Sequence, residues 1–218
     1  MRKLTATSYA ILGLLALRPW SAYELTKQVR RSLRFCWPRA ETRLYQEPKN
    51  LVEHGLVKAT TTANGRRSRT EYAITAKGRK ALRAWLGEPS APPRLESEAL
   101  LRLFFAEHGT TEDLLATLAQ VEAQALAQRE QAVAQATEYL AGSAPFPERL
   151  HILGLVGRFT LDHTALLAEW ARWAWAEVER WPDVGTAEVS PDVVRDFEAA
   201  VAGAAAVGAE GAGADCPP

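Results

Sequence analysis

Hydrophobic residues recur at helical spacing in the first part of the chain. An apolar run from Tyr9 to Leu17 follows a group of N-cap candidates at residues 5–8, and Pro19 ends the helix because proline cannot continue one. Ser21 begins a second helix, with Glu24 three residues later as its capping-box partner. The pattern therefore predicts two short helices that pack through their apolar sides.

A third helix is predicted from about Arg39 to His54, with an apolar stripe opposite a polar side. Pro48 falls inside this segment, where proline removes a backbone hydrogen bond and clashes with the preceding turn, at a cost of roughly 3 kcal/mol. We therefore expect a kink near Leu44 to Pro48, or a helix that restarts there. The stripe consists of Ala40, Leu44, Leu51 and Val52, and the polar side consists of Arg39, Thr42, Arg43, Gln46, Lys49 and Asn50.

Strand spacing follows the third helix. Residues 57–62 and 70–74 are rich in β-branched and aromatic residues, and Asn64-Gly65 between them is typical of a hairpin turn. Thr75 then caps a fourth helix over residues 76–86. Three helices, a β-hairpin wing and a following helix predict a winged helix-turn-helix domain over residues 1–88, in a mainly α protein.

Long helical patterns fill the rest of the chain. Three prolines and a glycine in residues 87–93 break the chain, so we place a domain boundary there. The segment from Thr110 to Ala141 predicts a rod of roughly 30 residues and about 45 Å. Helices are expected at residues 95–107, 110–141 and 148–181, which together form a helical domain over residues 94–182.

The last long helix is apolar on more than one side, with Ile152, Leu155, Phe159, Leu166 and Trp173 on one of its faces. Since this half has only three helices, a partner subunit is the simplest second cover, and we expect a long-helix dimerisation domain and a homodimer. Residues 183–218 are expected to be mostly disordered, with a short helix from Ser190 to about Val201 and disorder beyond Ala202.

Charge divides the chain into two unlike halves. Residues 1–90 hold 18 Lys and Arg against 6 Asp and Glu, a net of +12, whereas residues 91–218 hold 8 against 20, a net of −12. This asymmetry indicates a basic module joined to an acidic one. Cys36 and Cys216 lack metal-ligand spacing, and the chain has neither a secretory signal nor a membrane span, so we expect a soluble, cytoplasmic protein without a membrane partner.

The polar side of the third helix carries residue types that read DNA. Arg can bind guanine O6 and N7, Gln and Asn can do the same to adenine N6 and N7, and Lys neutralises phosphate. The other interpretation is a merely solvated face. Arg66, Arg67 and Arg69 cluster beyond the hairpin turn and repel one another, and a phosphate backbone or narrow minor groove would supply their counter-charge.

The order of these motifs resembles the PadR family of bacterial transcriptional regulators. The resemblance covers about residues 8–86 and rests on Ile11-Leu12-Gly13-Leu14-Leu15, Tyr23-Glu24-Leu25, Trp37-Pro38, Leu44-Tyr45, Gly55-Leu56-Val57 and Tyr72-x-Ile74-Thr75-x-x-Gly78. It implies a recognition helix from about Arg39, a role for Tyr45 at its base or on phosphate, and a wing at residues 66–69. It also implies a homodimer formed through carboxyl-terminal helices, repression of transcription, and release by a small molecule.

Aromatic residues crowd the last long helix, where Trp170, Trp173, Trp175 and Trp181 lie within 12 positions. One interpretation is a pocket for a flat or cationic effector, and the other is core and interface packing. The candidate effector-binding residues are Phe159, His163, Trp170 and Trp173.

The predicted function is a sequence-specific regulator that binds double-stranded DNA as a homodimer. The sequence holds no P-loop, dinucleotide-binding, nucleophile-elbow or zinc-protease motif, so we expect no enzyme, no catalytic residues, no metal and no cofactor. The alternative is a winged-helix interaction module that binds an acidic protein partner without operator specificity.

Overall fold

The computed structural model describes residues 3–37, 41–64, 67–185 and 187–211, with the backbone alone at residues 41, 42, 63, 64, 67, 68 and 204–211. The chain forms two compact units, Met1–Arg94 and Leu95–Pro218. None of the helices described has the length and apolar content needed to cross a bilayer.

The described residues of the amino-terminal unit form four helices and one small sheet. Its core lies where α1, α2 and α3 meet, and Ile11, Leu12, Leu25 and Leu51 are fully buried there. The elements are α1 (Ala6–Leu17), β1 (Trp20–Ser21), α2 (Ala22–Ser32), α3 (Glu41–Glu53), β2 (Val57–Asn64), β3 (Arg67–Ile74) and α4 (Ala76–Leu86).

The capping box predicted for α2 is present. Ser21 Oγ accepts a hydrogen bond from the backbone N–H of Glu24, and the Glu24 carboxylate accepts one from the backbone N–H of Ser21. Gly55, with a φ of 68°, ends α3 in the left-handed conformation that glycine adopts without strain. The capping box thus sets where α2 begins, and Gly55 sets where α3 ends.

The sheet has the antiparallel order β1-β3-β2. β2 pairs with β3 over its whole length, from Val57 opposite Ile74 to Asn64 opposite Arg67. β1 pairs only with Tyr72 and Glu71 of β3. The outer part of the hairpin, residues 67–70 with their partners on β2, therefore projects past the third strand as a two-stranded ribbon.

Side chains in the first turn of α4 donate hydrogen bonds to carbonyl groups at the carboxyl ends of α1 and α3. Lys77 Nζ donates to the carbonyl oxygen of His54 at 2.9 Å, just beyond α3, and an Arg79 N–H donates to the carbonyl oxygen of Ala16 in the last turn of α1 at 3.3 Å. Cations suit such positions because the last carbonyls of a helix lack intrahelical partners. Gly78 lies between these residues, and a Cβ there would meet the carbonyl oxygen of Leu56 at 2.2 Å.

The carboxyl-terminal unit is built on two long helices packed against each other. Leu114 and Leu118 of one form a core with Ala174 and Val178 of the other. The elements are α5 (Glu98–Phe104), a 3₁₀ turn (Ala106–His108), α6 (Thr111–Leu140), a second 3₁₀ turn (Pro147–Arg149), α7 (Leu150–Val178) and α8 (Pro191–Gly211).

One side of α7 packs on α6, and the other carries exposed apolar side chains. Thr164, Ala168 and Ala171 are buried, and Arg172 pairs with Glu122 of α6 at 3.0 Å. The sequence indicated more than one apolar face on this helix. Exposed within the described part of this unit is the face that comprises Ile152, Leu155, Phe159, Leu166 and Trp173.

Two sequence predictions about helices are wrong. Of the two alternatives expected at Pro48, a kink or a restart, the restart is absent, because α3 runs without a break from Glu41 to Glu53. The short helix expected to end near Val201 continues to Gly211, through a segment predicted to be disordered. Residues 199–206 hold six alanines, and alanine has the highest helix propensity, which offsets the lack of a large apolar face.

Candidate nucleic-acid interface

Helix α3 separates an exposed polar side from a buried side. Arg43, Gln46 and Lys49 are exposed, and Tyr45 is 40% exposed. On the inner side Leu44 and Leu51 enter the core together with Pro48. Four of the predicted reading residues thus share one surface of the helix. Arg39 lies outside the described residues, and Thr42 is described only by its backbone.

Asn50 was predicted to contact DNA, but it is buried and does not lie on this exposed surface. Its side chain is only 8% exposed, and its Nδ2 donates to Glu47 Oε1 at 2.9 Å. Glu47 is only 2% exposed and accepts a second hydrogen bond from Ser8 Oγ of α1 at 2.6 Å. A buried carboxylate needs such donors, so Asn50 serves the interior. The helical pattern gave no sign of this pairing, because Ser8 lies 39 positions from Glu47 in the chain.

Pro48 is tolerated because it is part of the core. Its side chain is fully buried on the inner side of α3, the side on which Leu44 and Leu51 are also buried. The backbone N–H that proline lacks would have bonded to the carbonyl of Leu44, so the helix loses one hydrogen bond, while the polar side chains on its exposed side are unaffected.

The wing is described in part. Arg66 lies outside the described residues, and Arg67 is described by its backbone in β3. Arg69 is exposed, and one of its guanidinium nitrogens lies 2.8 Å from Glu24 Oε2 at the start of α2. The counter-charge that the sequence led us to seek in a phosphate backbone is, for Arg69, supplied by the protein itself.

Hydrogen bonds hold Glu24 in its charged form. The backbone N–H of Ser21 lowers the pKa of the Glu24 carboxyl most, and the Ser21 hydroxyl and the Arg69 guanidinium lower it further. The carboxylate oxygen Oε2 receives the Ser21 hydroxyl at 2.7 Å. Glu24 is therefore a fixed negative charge between α2 and the wing.

Helix α2 and the turn after it present a second exposed basic row. Tyr23, Lys27 and Arg30 are exposed at intervals of four and three residues, which places them on one side of α2, and Arg34, two residues beyond the end of the helix, is also exposed. Tyr23 is 65% exposed. The spacing of these residues is visible in the sequence, but whether their side chains are exposed depends on which side of α2 packs against the core.

The candidate effector residues do not form one pocket. Trp170 packs against the core cluster of α6 and α7 together with Trp175 and Trp181. Phe159 and Trp173 are exposed, and the Phe159 ring stacks on His163 with centroids 5.8 Å apart. The tryptophans thus split between the core and the exposed face of α7. Within the described residues no group of three His, Cys, Asp or Glu side chains could hold a metal ion.

Residues 11–84 match the family model described as "Transcriptional regulator PadR-like family". A protein of Mycobacterium tuberculosis described as a transcriptional regulator is 33% identical over 90 residues, which are 41% of this chain and 48% of that protein. The negative transcriptional regulator PadR of Bacillus subtilis is 30% identical over 99 residues, which are 44% of this chain and 54% of that protein. The matched segments span about half the length of these curated relatives.

Solved structures resemble the fold over a longer range. Bacillus subtilis PadR in complex with operator DNA has a TM-score of 0.68 at 22% identity, over 80% of this chain and 99% of that one. The same protein in complex with p-coumaric acid gives 0.63 at 21% identity, over 81% and 100%. The Vibrio cholerae virulence activator AphA gives 0.61 at 24% identity, over 79% and 98%.

These matches confirm the predicted fold class, a mainly helical protein with a winged helix and long carboxyl-terminal helices. They also confirm the resemblance stated from the sequence, over residues 11–84. The family described is one of transcriptional regulators, not of enzymes.

Proposed function

Since the chain carries a PadR-like transcriptional regulator domain at residues 11–84, we propose that the protein binds a specific DNA operator as a homodimer and represses transcription. The observation that carries this proposal is the exposed row of Arg43, Gln46 and Lys49 on α3. An arginine and a glutamine can each make bidentate contacts with a base edge in the major groove, and a neighbouring lysine can neutralise a phosphate.

The basic face of α2 extends this surface. In a helix-turn-helix the helix that precedes the recognition helix crosses the DNA backbone. Lys27, Arg30 and Arg34 offer cations at that position, and the exposed Tyr23 offers a hydroxyl donor. We assign phosphate contacts to this row and base contacts to Arg43 and Gln46. Thr42, Tyr45 and the wing residues Arg66, Arg67 and Arg69 complete the proposed interface, together with Arg39.

The exposed face of α7 supports the homodimer. Leu155 and Phe159 are 75% and 65% exposed on the same side of the helix as Leu166. Such a contiguous apolar face is usually an association site in a soluble protein. A second copy would cover it, and a long paired brace could hold two reading helices about 34 Å apart, one turn of duplex. This arrangement assigns residues 94–182 to dimerisation.

Repression and release are assigned from the relatives. The curated Bacillus subtilis protein is named a negative regulator, and it has also been solved with p-coumaric acid. An aromatic acid could stack on Phe159, His163 or Trp173, which lie on the exposed side of α7. We propose the cytoplasm as the place of action, since that is where bacterial operators lie.

Footprinting on the DNA upstream of the protein's own gene tests the proposal. The wild type should protect an inverted repeat, and Arg43→Ala/Gln46→Ala should lose the protection. Lys80→Ala, which removes an exposed cation of α4 outside the proposed interface, is the matched control and should retain it.

Salt dependence gives a second readout. The logarithm of operator affinity should fall steeply with the logarithm of salt concentration, and Lys49→Ala should reduce that slope by about 0.9, the value for one phosphate contact. A DNA affinity that does not change with salt concentration, together with no protected inverted repeat, would favour the alternative, a module that binds an acidic protein.

A further inference from the structure

Glu24 joins three parts of the amino-terminal unit. Its Oε2 accepts from the backbone N–H and the hydroxyl of Ser21, which begin α2, and from Arg69 of the wing at 2.8 Å. Its Oε1 lies 3.7 Å from Arg18, whose guanidinium also lies 3.5 Å from the centre of the Trp20 ring. Trp20 is buried and donates from Nε1 to the carbonyl oxygen of Leu14. The acid is thus anchored to the domain body through both of its oxygens.

The wing needs such an anchor at this position. β1 supports β3 only at Tyr72 and Glu71, and residues 67–70 continue past it as a ribbon of two strands. Two-stranded ribbons twist more than larger sheets and are marginal without a packed face. Arg69 lies in this unsupported part, two residues beyond the last pair with β1, and its contact with Glu24 ties the ribbon back to α2.

We propose that Glu24 is a positioning residue for operator binding, which fixes the direction of the wing through Arg69 without touching DNA. This inference rests on the proposed function, because it concerns the same interface. An acid close to a DNA-binding surface would ordinarily weaken binding by repelling phosphate. Here Arg69 and Arg18 offset its charge, and the guanidinium of Arg69 keeps N–H donors that Glu24 does not use.

Two substitutions of Glu24 separate positioning from repulsion. Glu24→Gln keeps a capping-box residue, because glutamine serves the same role in the motif, but it loses the charge-assisted bond to Arg69. Glu24→Asp keeps the charge and shortens the reach by one methylene. Both variants should bind the operator about two- to fivefold more weakly, the range that a partly exposed ion pair supports. Simple repulsion gives tighter binding by Glu24→Gln and no change for Glu24→Asp.

A double variant tests whether the effect passes through Arg69. Glu24→Gln/Arg69→Gln should bind like Arg69→Gln alone, since the pair is already broken. Glu71→Gln, which removes the same charge from an exposed position on β3, is the matched control and should not weaken binding. Unchanged or tighter binding by Glu24→Gln, or losses that add in the double variant, would overturn the proposal.

Hydrogen exchange of backbone amides measures directly how firmly Glu24 holds the wing, and it needs no DNA. Backbone amides of β3 at residues 67–70 should exchange faster in Glu24→Gln and Glu24→Asp than in the wild type, while those of α1 and α4 should keep their rates. Equal rates in the wing would contradict the anchoring role. If the wild type protects no operator, the proposed function fails, and the exchange experiment still decides whether Glu24 holds the wing.

Discussion

Gly78→Ala should destabilise the protein, although glycine to alanine within a helix normally stabilises by up to about 1 kcal/mol. A Cβ at Gly78 would lie 2.2 Å from the carbonyl oxygen of Leu56 and 2.8 Å from Cγ1 of Ile74. The Leu56 carbonyl oxygen cannot simply move aside, because it accepts hydrogen bonds from the backbone N–H of Thr75 at 3.0 Å and from the Thr75 hydroxyl at 3.1 Å. Overpacking of this kind costs about 1–3 kcal/mol, and a backbone obstacle favours the upper part of that range.

Urea unfolding followed by circular dichroism measures the change. Gly13→Ala is the matched control, since Gly13 also lies within a helix but has open space around its Cβ position. The control should be as stable as the wild type or more stable by up to about 1 kcal/mol, while Gly78→Ala should lose about 2–3 kcal/mol. Equal stability of the two variants would refute the packing argument.

Two further predictions concern charge and association. Hydrogen bonds lower the folded-state pKa of Glu24 below its ordinary value of 4.5, so its contribution to stability is complete above pH 4.5 and is lost as the pH falls through the folded-state pKa. The free energy of unfolding of Glu24→Gln should therefore depend less on pH than that of the wild type between these two values. Parallel pH dependences of variant and wild type would contradict this prediction. Leu155→Glu, on the exposed face of α7, should shift the sedimenting mass from the dimer to the 23.9 kDa monomer. Leu140→Glu, at a position on α6 that is also exposed, should sediment as a dimer, and a dimer of Leu155→Glu would argue against this face.

Local chemistry predicted the helices and strands well. The capping box at Ser21 with Glu24 is formed as its spacing indicated, and Gly55 ends α3 where a stop was expected. These signals act within a few residues of chain, so a sequence displays them completely. Four exposed residues of α3 could be predicted for the same reason, since helical period separates one side from the other.

Distant contacts were not predictable in this way. Asn50 has the right chemistry for a base contact, but its side chain donates to Glu47. Glu47 is buried and also accepts from Ser8, which lies 39 residues away in the chain. Arg69 likewise meets Glu24 across 45 residues. The close approach of Gly78 to Leu56 depends on how α4 crosses the end of α3. Each case needs the packed fold, because periodicity says which side is polar but not what faces it.

The bond between Ser8 and Glu47 also gives α3 a fixed rotational phase. A roll by one residue, about 100°, would carry the Glu47 carboxylate away from its α1 donor and leave the Ser8 hydroxyl buried without its acceptor. Under the proposed function, the helix is thereby prevented from turning to suit a different base sequence. Changes in operator preference during evolution would then come from exchanging the side chains at positions 43, 46 and 49, while the buried acid stays in place as the reference for all of them.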